Sequence, residues 1–386
     1  MRSTAVPGTT DELVPGGSRS LDALKQEVQR RAERNIPPLG GIGPEDARTA
    51  LARIDSLSRG QWALAWSHVA EQHLEQAQSP GVAAGTAREH YWQAWRLYHF
   101  ARWPVENSPA KLRAKQQALA AFRDYSRLLE PAMEVLRIPF EGREIVAYLR
   151  LPAGARPSPL VFGIAGLDSR KEDIAAHSDR YLQHGVGLFA IDLPGTGEAP
   201  IATATIDSDR MFSAALDYLA TRPDVDAGCI VVQGRSWSGY WAAKLAYTER
   251  ARIRGSVVHG GPIHGYFQPD WLPRSLATDE YLYDYFQATA ALFGATSMED
   301  LLERARQFSL LDSGLLDQPS APMLLVNGAR DSQIPIADVF TLLQHGDAKE
   351  AWVNPKGGHM GRSPEWPANS IFEQILMPWM LRRLHS

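Results

Sequence analysis

The stretch Cys229–Gly239, which reads CIVVQGRSWSG, decides the fold of this 386-residue chain. It starts as an apolar, β-branched run typical of a buried strand and ends in a turn of small residues, and a helix-prone segment follows. Gly234 and Ser238 lie two positions before and two positions after Ser236, where a sharp strand-to-helix turn admits only small side chains. The pattern predicts a nucleophile elbow that raises the Ser236 hydroxyl above the edge of a sheet.

The elbow departs from its usual form at one position. Ser238 stands where glycine is usual, and Gly239 follows directly. Ser238 is therefore the alternative nucleophile, although its spacing from Gly234 does not fit the turn. A Gly-x-Ser-x-Ser pattern also occurs in plain surface turns, but the strand before it and the helix after it favour the elbow.

The region around the elbow has the alternating pattern of an α/β protein. Short apolar runs predict eight strands, at 133–139, 144–151, 160–164, 186–191, 229–232, 255–258, 323–326 and 349–353. The first two form a hairpin, and helices such as 173–184 and 209–221 separate later strands. This order predicts a mostly parallel eight-stranded sheet with helices on both faces.

The region before the sheet is expected to be entirely helical. Helices are predicted at 21–35, from residue 44, and at 60–77, 86–102 and 109–129, with prolines at several of their ends. The organisation expected is a flexible tail over 1–20, a helical cap domain over 21–131 and a catalytic domain over 132–386.

A serine hydroxyl needs a base to take its proton and an acid to orient that base, in the chain order Ser, acid, His. Asp331 follows the strand at 323–326, and His359 lies in the Gly-rich loop PKGGHMG after the last strand. We therefore predict a triad of Ser236, Asp331 and His359. The alternatives are a helix-capping role for Asp331 and a solvated loop position for His359.

The oxyanion of an acyl-transfer intermediate needs two N–H donors. We expect them from Trp237, directly after the nucleophile, and from Leu167 in the loop AGLDS after the strand at 160–164. Gly166 and Asp168 of this loop are further candidates for substrate contact. The alternative is a plain strand-to-helix turn. The turn DLPGTGE, at 192–198, is expected to be structural.

The composition excludes several classes of protein. Lys and Arg number 40 against 44 for Asp and Glu, so the net charge of −4 offers no basic surface to nucleic acid or to a membrane. No run of about 18 apolar residues occurs, and the N-terminus lacks the apolar core of a signal peptide. The single cysteine, Cys229, excludes an internal disulfide and fits a reducing, cytoplasmic location. No metal or phosphate motif is present, so no cofactor is expected.

Taken together, these motifs resemble the α/β-hydrolase superfamily over 132–386. The long helical region, the stretch GLDSRKE at Gly166–Glu172 and the elbow itself extend the resemblance. With them, nearly the whole chain except the tail is similar to the family of 2,6-dihydroxypseudooxynicotine hydrolase and the fungal heptaketide-shortening hydrolase of melanin synthesis. The fermentation-respiration switch proteins are looser relatives.

The resemblance implies a helical domain that caps the serine and hydrolysis of a carbon–carbon bond beside a ketone, a retro-Claisen reaction. It also implies polar substrate-binding groups after the strand that follows the elbow, where His264 and Tyr281 are the candidates. The position of His259 and His264 directly after that strand also makes both of them candidates for lining the pocket. Enzymes of this kind are commonly homodimers, although no segment of the sequence marks an interface.

Five tryptophans precede residue 104, and aromatic side chains occupy more than one face of the helix at 86–102. They predict either the core of the helical domain or the lining of an aromatic substrate pocket. Arg102 and Trp103 are the candidates for the second role.

Three functions stay open from the sequence. The first is a cofactor-independent serine hydrolase that cleaves a C–C bond in an aromatic or polyketide-like carbonyl substrate. The second is a carboxylesterase or thioesterase with the same triad. The third is a non-catalytic binding or regulatory protein on the same fold, against which the complete triad argues.

Overall fold

A computed structural model describes residues 11–154 and 157–385, which divide into two compact units. The helical unit holds the chain up to Ala132 together with Ala277–Thr289, and the sheet unit holds Met133–Leu276 with the chain from Ala290 onward. The segment Ala277–Thr289 was expected in the catalytic domain at 132–386. It groups with the helical unit instead, because its buried side chains pack against and hydrogen-bond to side chains of that unit.

The helical unit contains the five predicted helices with small shifts of their ends. Serine side chains cap three of them by accepting a backbone N–H, at Ser20, Ser58 and Ser108. The helices are α1 (Leu21–Glu33), α2 (Pro44–Leu51), α3 (Arg59–Ala77), α4 (Ala84–Arg102) and α5 (Pro109–Arg127).

The predicted tail is only partly described, since residues 1–10 lie outside the described residues. Residues 11–20 pack within the helical unit instead of extending freely. Leu13 is 2% exposed, Glu12 forms a β-bridge with Ser58, and Pro15 forms one with Tyr283. The expectation of a flexible tail is therefore wrong for this part, because burial of Leu13 and backbone pairing hold it in place.

The sheet unit confirms the predicted α/β-hydrolase fold class, with eight strands in the order β1-β2-β4-β3-β5-β6-β7-β8. The pairs β1/β2 and β2/β4 are antiparallel and every later pair is parallel. The strands are β1 (Glu134–Phe140), β2 (Arg143–Arg150), β3 (Ser158–Ile164), β4 (Gly187–Ile191), β5 (Val225–Arg235), β6 (Gly255–His259), β7 (Met323–Gly328) and β8 (Glu350–Asn354). Strands β4, β6 and β7 are buried throughout, as expected for the middle of a sheet covered on both faces.

The remaining helices of the chain connect or flank these strands. They are α6 (Lys171–Ala175), α7 (Asp179–Leu182), α8 (Arg210–Ala220), α9 (Ser238–Thr248), α10 (Leu272–Leu276), α11 (Tyr285–Phe293), α12 (Met298–Arg306), α13 (Ala337–Gln344), α14 (Ala368–Ile371) and α15 (Met377–Leu384). None of the helices in the described part of the chain combines the length and the apolarity needed to cross a membrane.

Two elements differ from the sequence-based expectation. The single helix predicted at 173–184 is the pair α6 and α7, because N–H groups at His177 and Ser178 bond three residues back and interrupt the α-helical pattern. Strand β5 is longer than the predicted 229–232 and continues to Arg235. It therefore leads directly into the elbow.

Four of the five tryptophans of the helical unit belong to its core. Trp62, Trp66 and Trp95 are at most 1% exposed. Trp103 is 2% exposed and stacks on Tyr281, with ring centroids 4.9 Å apart. Aromatic packing thus joins the segment Ala277–Thr289 to the helices.

A buried carboxylate holds the same segment in the helical unit. Asp284 is fully buried and accepts two hydrogen bonds of 3.0 Å from Arg59. It also accepts bonds from Asn107 at 3.2 Å and from the N–H of Val14 at 2.9 Å. The ammonium of Lys111 lies 3.5 Å from it. Burial by itself raises the pKa of Asp284, but the bonds from Arg59 and the charge of Lys111 outweigh it, so the pKa lies below its usual value.

Replacement of Asp284 by Asn is expected to lower the free energy of unfolding by about 3–5 kcal/mol, because it removes the buried negative charge that Arg59 and Lys111 face. Urea denaturation followed by tryptophan fluorescence measures the change. Asp279→Asn on the same segment is the control, since that side chain is 81% exposed and pairs with Arg19 at 3.9 Å. We expect the control to change stability by at most about 1 kcal/mol. Equal effects of the two substitutions would contradict the role of Asp284.

Candidate active site

The elbow after β5 holds Ser236 in a strained backbone conformation. Its φ is 53°, in the left-handed region that non-glycine residues rarely occupy. The N–H of Ser236 donates to the carbonyl of His259 at 2.7 Å, and α9 begins two residues later. Strain of this kind persists only where surrounding contacts enforce it, and it is typical of functional turns.

The small residues around Ser236 are required by close backbone contacts. A Cβ on Gly234 would lie 2.2 Å from the carbonyl oxygen of Ser238, and one on Gly239 would lie 2.5 Å from the Cα of Gly261. Both distances are far below van der Waals contact. Glycine is therefore needed at position 234, two residues before Ser236. It is also needed at position 239, one residue later than the usual glycine after the serine.

Ser238, the alternative nucleophile, is a structural residue of the turn. It is fully buried, and its hydroxyl accepts the N–H of Arg235 at 2.8 Å. The same hydroxyl lies 2.8 Å from the carbonyl oxygen of Ile164, to which it donates. A serine at this position thus joins the end of β3 to the elbow, which explains the departure from glycine.

The three predicted triad side chains form one hydrogen-bonded chain. Asp331 lies in the loop after β7 and His359 in the loop after β8. His359 Nε2 lies 2.8 Å from Ser236 Oγ, and His359 Nδ1 lies 2.8 Å from Asp331 Oδ2. This geometry suits transfer of the serine proton to Nε2 while Nδ1–H donates to the carboxylate.

Asp331 is built to stay ionised. Burial raises the pKa of its carboxyl, but the neighbouring charge and hydrogen bond of His359 outweigh that effect and hold the pKa below its usual value. The other carboxylate oxygen accepts the N–H groups of Gln333 at 2.8 Å and Ile334 at 3.0 Å. These two bonds hold the loop after β7. The predicted alternative of a helix-capping role is wrong, because α13 begins only at Ala337 and no side chain caps it.

The loop after β3 lies beside Ser236. A Cβ built on Gly166 would be 3.8 Å from the Cβ of Ser236. Gly166 N–H donates to Ser169 Oγ at 2.8 Å, and the Arg170 guanidinium donates to the Leu167 carbonyl at 3.2 Å. Hydrogen bonds therefore fix the peptide group before and the peptide group after the one that carries the Leu167 N–H.

The backbone N–H groups of Leu167 and Trp237 have no acceptor among the described residues. Both residues are buried, with exposures of 5% and 1%. Two unused donors next to a nucleophile are what an oxyanion hole requires. Their predicted role stays a prediction.

A buried ionic cluster, which the sequence did not predict, supports this loop. The carboxylate of Asp192 accepts the Lys171 N–H at 2.8 Å, the Lys171 ammonium at 3.0 Å and the Glu198 N–H at 2.9 Å. A Cβ on Gly197 would lie 2.2 Å from that carboxylate, so the turn at 192–198 is structural, as expected. Burial lowers the pKa of Lys171, but Asp192 and Glu172 outweigh it and hold the pKa well above its usual value.

His264 lies on a separate network in the sheet unit. Its Nδ1 is 2.8 Å from Ser309 Oγ. The buried carboxylate of Asp338 accepts N–H groups from the four consecutive residues at 263–266 and shapes this loop. His264 makes no described hydrogen bond to the triad. Contact of His264 with substrate stays a prediction.

The other predicted substrate residues fall in two places. Asp168 is in the loop after β3, next to Leu167, and is half-buried. Arg102, Trp103 and Tyr281 belong to the helical unit, where they are 1%, 2% and 7% exposed. The guanidinium of Arg102 lies 3.6 Å from Glu106. Their contact with substrate stays a prediction.

No group of three His, Cys, Asp or Glu side chains within 11–154 and 157–385 is arranged to hold a metal ion. The arrangement at Ser236 needs none for acyl transfer, because the base and the N–H donors are side chains and backbone of the chain itself.

Comparison with known proteins shows the family to which the chain is similar. The family model described as Esterase FrsA-like matches residues 50–351. Esterase FrsA of Vibrio vulnificus strain YJ016 is 25% identical over 366 residues, which cover 88% of this chain and 87% of that protein. These matches confirm the predicted resemblance to α/β-hydrolases.

Two solved structures share the fold over most of their length. The 2,6-dihydroxy-pseudo-oxynicotine hydrolase has a TM-score of 0.72 at 21% identity and covers 89% of this chain and 93% of its own. AbyA5 has a TM-score of 0.71 at 24% identity and covers 86% of this chain and 93% of its own. Identities this low support the fold alone.

Substitution of the two elbow serines separates their roles. Ser236→Ala is expected to abolish covalent labelling by a fluorophosphonate, as measured by intact-protein mass. Ser238→Ala is expected to remain labelled but to melt at lower temperature, because the buried carbonyl of Ile164 and the part-buried N–H of Arg235 lose their partner. An unpaired buried polar group costs about 1–3 kcal/mol. Labelling that survives in Ser236→Ala would refute the nucleophile assignment.

Asp331→Asn tests the orientation of the base. The amide oxygen can still accept the N–H groups of Gln333 and Ile334, so the fold is expected to remain. The amide nitrogen then faces His359 Nδ1, and the imidazole loses the tautomer that accepts the serine proton. We expect the labelling rate to fall by roughly 10³–10⁴-fold, with little change in thermal melting. A loss below tenfold would contradict the assignment.

Proposed function

We propose a function from the premise that the chain belongs to the FrsA-like esterase family of α/β-hydrolases. In this proposal the protein is a cofactor-independent serine hydrolase with Ser236, His359 and Asp331 as its triad. The observation that carries the proposal is the unbroken chain of two 2.8 Å hydrogen bonds ending at a serine in a strained turn. The free N–H groups of Leu167 and Trp237 support it, because they supply the remaining part of an acyl-transfer site.

The reaction would begin with attack of Ser236 Oγ on a substrate carbonyl while His359 Nε2 takes the hydroxyl proton. The tetrahedral oxyanion would accept hydrogen bonds from Leu167 and Trp237, and ionised Asp331 would stabilise the imidazolium. Collapse of the intermediate breaks the bond to the leaving group and leaves an acyl ester on the serine. Water, activated by the same histidine, then releases the acid.

We further propose that the leaving group is carbon. A C–C bond breaks at this step only if its electron pair leaves as an enolate, which the His359 imidazolium protonates at carbon. The products from a β-diketone and water are one carboxylic acid and one ketone. The substrate class is therefore an aromatic or polyketide-like β-diketone or acyl phenol, as the resemblance to 2,6-dihydroxypseudooxynicotine hydrolase implies.

The second candidate is ester or thioester hydrolysis. The same attack, oxyanion and acyl intermediate serve an alcohol or thiol leaving group, and the family description as esterases favours this reaction. The two functions differ only in the atom that accepts the proton from His359. The substrate, more than the triad, thus decides between them.

A product assay by mass spectrometry separates the two candidates. The full-length protein is incubated in H₂¹⁸O with a panel of aryl β-diketones, acyl phenols, simple esters and thioesters. C–C cleavage is expected to place one ¹⁸O in the acid and to release a ketone or phenol shortened by the acyl group. Ser236→Ala is the matched control and is expected to lose at least about 10³-fold in rate.

Each outcome of the assay has a definite meaning. Ser236-dependent cleavage of esters or thioesters without any C–C cleavage would refute the carbon leaving group and support the second candidate. Products formed equally well by Ser236→Ala would refute the triad proposal.

A further inference from the structure

The segment His259–Gly261, at the end of β6, contacts both the elbow and the loop that carries His359. Its first carbonyl accepts the N–H of Ser236 at 2.7 Å. The N–H of Gly260 donates to Val326 in β7 at 2.8 Å, so the segment is fixed to the neighbouring strand. The proposed mechanism gives this segment no role.

The side chain of His259 reaches the loop of the base. It is 5% exposed, and its Nε2 lies 2.8 Å from the carbonyl oxygen of Met360. A carbonyl only accepts, so Nε2 carries the proton and donates. Met360 directly follows His359, has a φ of 63°, and donates its own N–H to Asn327 at 3.0 Å. The residue after the base is therefore held on both sides, against backbone strain.

The two glycines of the segment allow these contacts. A Cβ on Gly260 would lie 2.9 Å from Met360 Cγ and 3.4 Å from Cε1 of the His359 ring. A Cβ on Gly261 would lie 2.5 Å from the backbone of Gly239, just after the nucleophile. Side chains at either position would push the elbow or the base loop away.

The charge state of His259 suits this position. Burial lowers the pKa of His259 to about 3, although the hydrogen bond to Met360 acts in the opposite direction. The His259 ring is thus neutral at pH 7. A neutral donor holds Met360 without repelling the imidazolium that forms on His359 during the reaction.

We infer that His259 is a positioning residue that sets the distance between the nucleophile and the base. Its carbonyl fixes the backbone of Ser236 and its imidazole fixes the residue next to His359, so one residue controls both ends of the 2.8 Å bond between them. The inference rests on the proposed triad. It places His259 behind the reacting groups, without contact to substrate.

The expected consequence is a defect in the chemical step. A displacement of about 1 Å between reacting groups costs on the order of 10²-fold in rate. Loss of the His259 donor should therefore lower kcat and the rate of serine labelling, while KM changes little.

The test compares His259→Gln with His259→Leu. The glutamine amide nitrogen reaches about as far as Nε2 and can donate to Met360, whereas leucine has similar bulk and no donor. We expect His259→Leu to label with fluorophosphonate about 10–100-fold more slowly than the wild type and His259→Gln to recover to within about fivefold. Thermal melting is measured for both. His259→Asn, whose amide is one methylene too short, replaces the leucine variant if that variant does not fold.

The outcomes separate this inference from the proposed function. Equal labelling rates for His259→Leu and wild type would overturn it, and so would equal rates for the Gln and Leu (or Asn) variants. Wild-type protein that is labelled in a Ser236-dependent way supports the triad whatever the His259 variants do. Wild-type protein that is not labelled would overturn the triad proposal itself.

Discussion

The left-handed backbone conformation of Ser236 is the constraint on which the loops at the carboxyl edge of the sheet depend. The conformation costs on the order of 1–3 kcal/mol, so other contacts must enforce it. Its N–H is bound by the β6 carbonyl, its neighbour Ser238 is bonded to β3, and Gly234 admits the α9 backbone at a distance no side chain would allow. Three central strands thus hold one turn, and they place the Ser236 hydroxyl 2.8 Å from His359 Nε2.

Buried carboxylates recur as organisers of irregular backbone. Asp331, Asp338 and Asp192 each accept two or more backbone N–H groups from loops at the carboxyl ends of strands. Loops cannot satisfy their own N–H groups as helices and strands do, and an ionised acceptor binds them more strongly than a neutral one. Asp331 and Asp192, whose pKa values lie below the usual range, therefore hold their loops by charge-assisted hydrogen bonds. Burial raises the pKa of Asp338, which holds the loop after β6 by four backbone bonds.

The sequence predicted those parts of the site that have local signals. The elbow, the order of acid and base, and the alternation of strands and helices are all readable from short stretches, and the eight-stranded sheet follows from them. The Lys171–Asp192 pair, the His259–Met360 bond and the Arg59–Asp284 pair join residues 21, 101 and 225 positions apart. No periodicity marks such partners. The sequence therefore suggested only pocket lining for His259, and it placed Asp284 in the catalytic domain instead of the helical unit. The interruption between α6 and α7 was not predicted either, because it depends on particular backbone hydrogen bonds that helix propensity does not encode.

The placement of Ala277–Thr289 in the helical unit has a consequence for how this architecture can evolve. The unit's core draws on two stretches of chain separated by most of the sheet. Recombination at a single point in the gene would transfer the helices without Asp284 and Tyr281, and so without the partner of Arg59 and the stacking surface of Trp103. The helical region and the β6–β7 insertion are therefore expected to be inherited together, as one module encoded in two pieces.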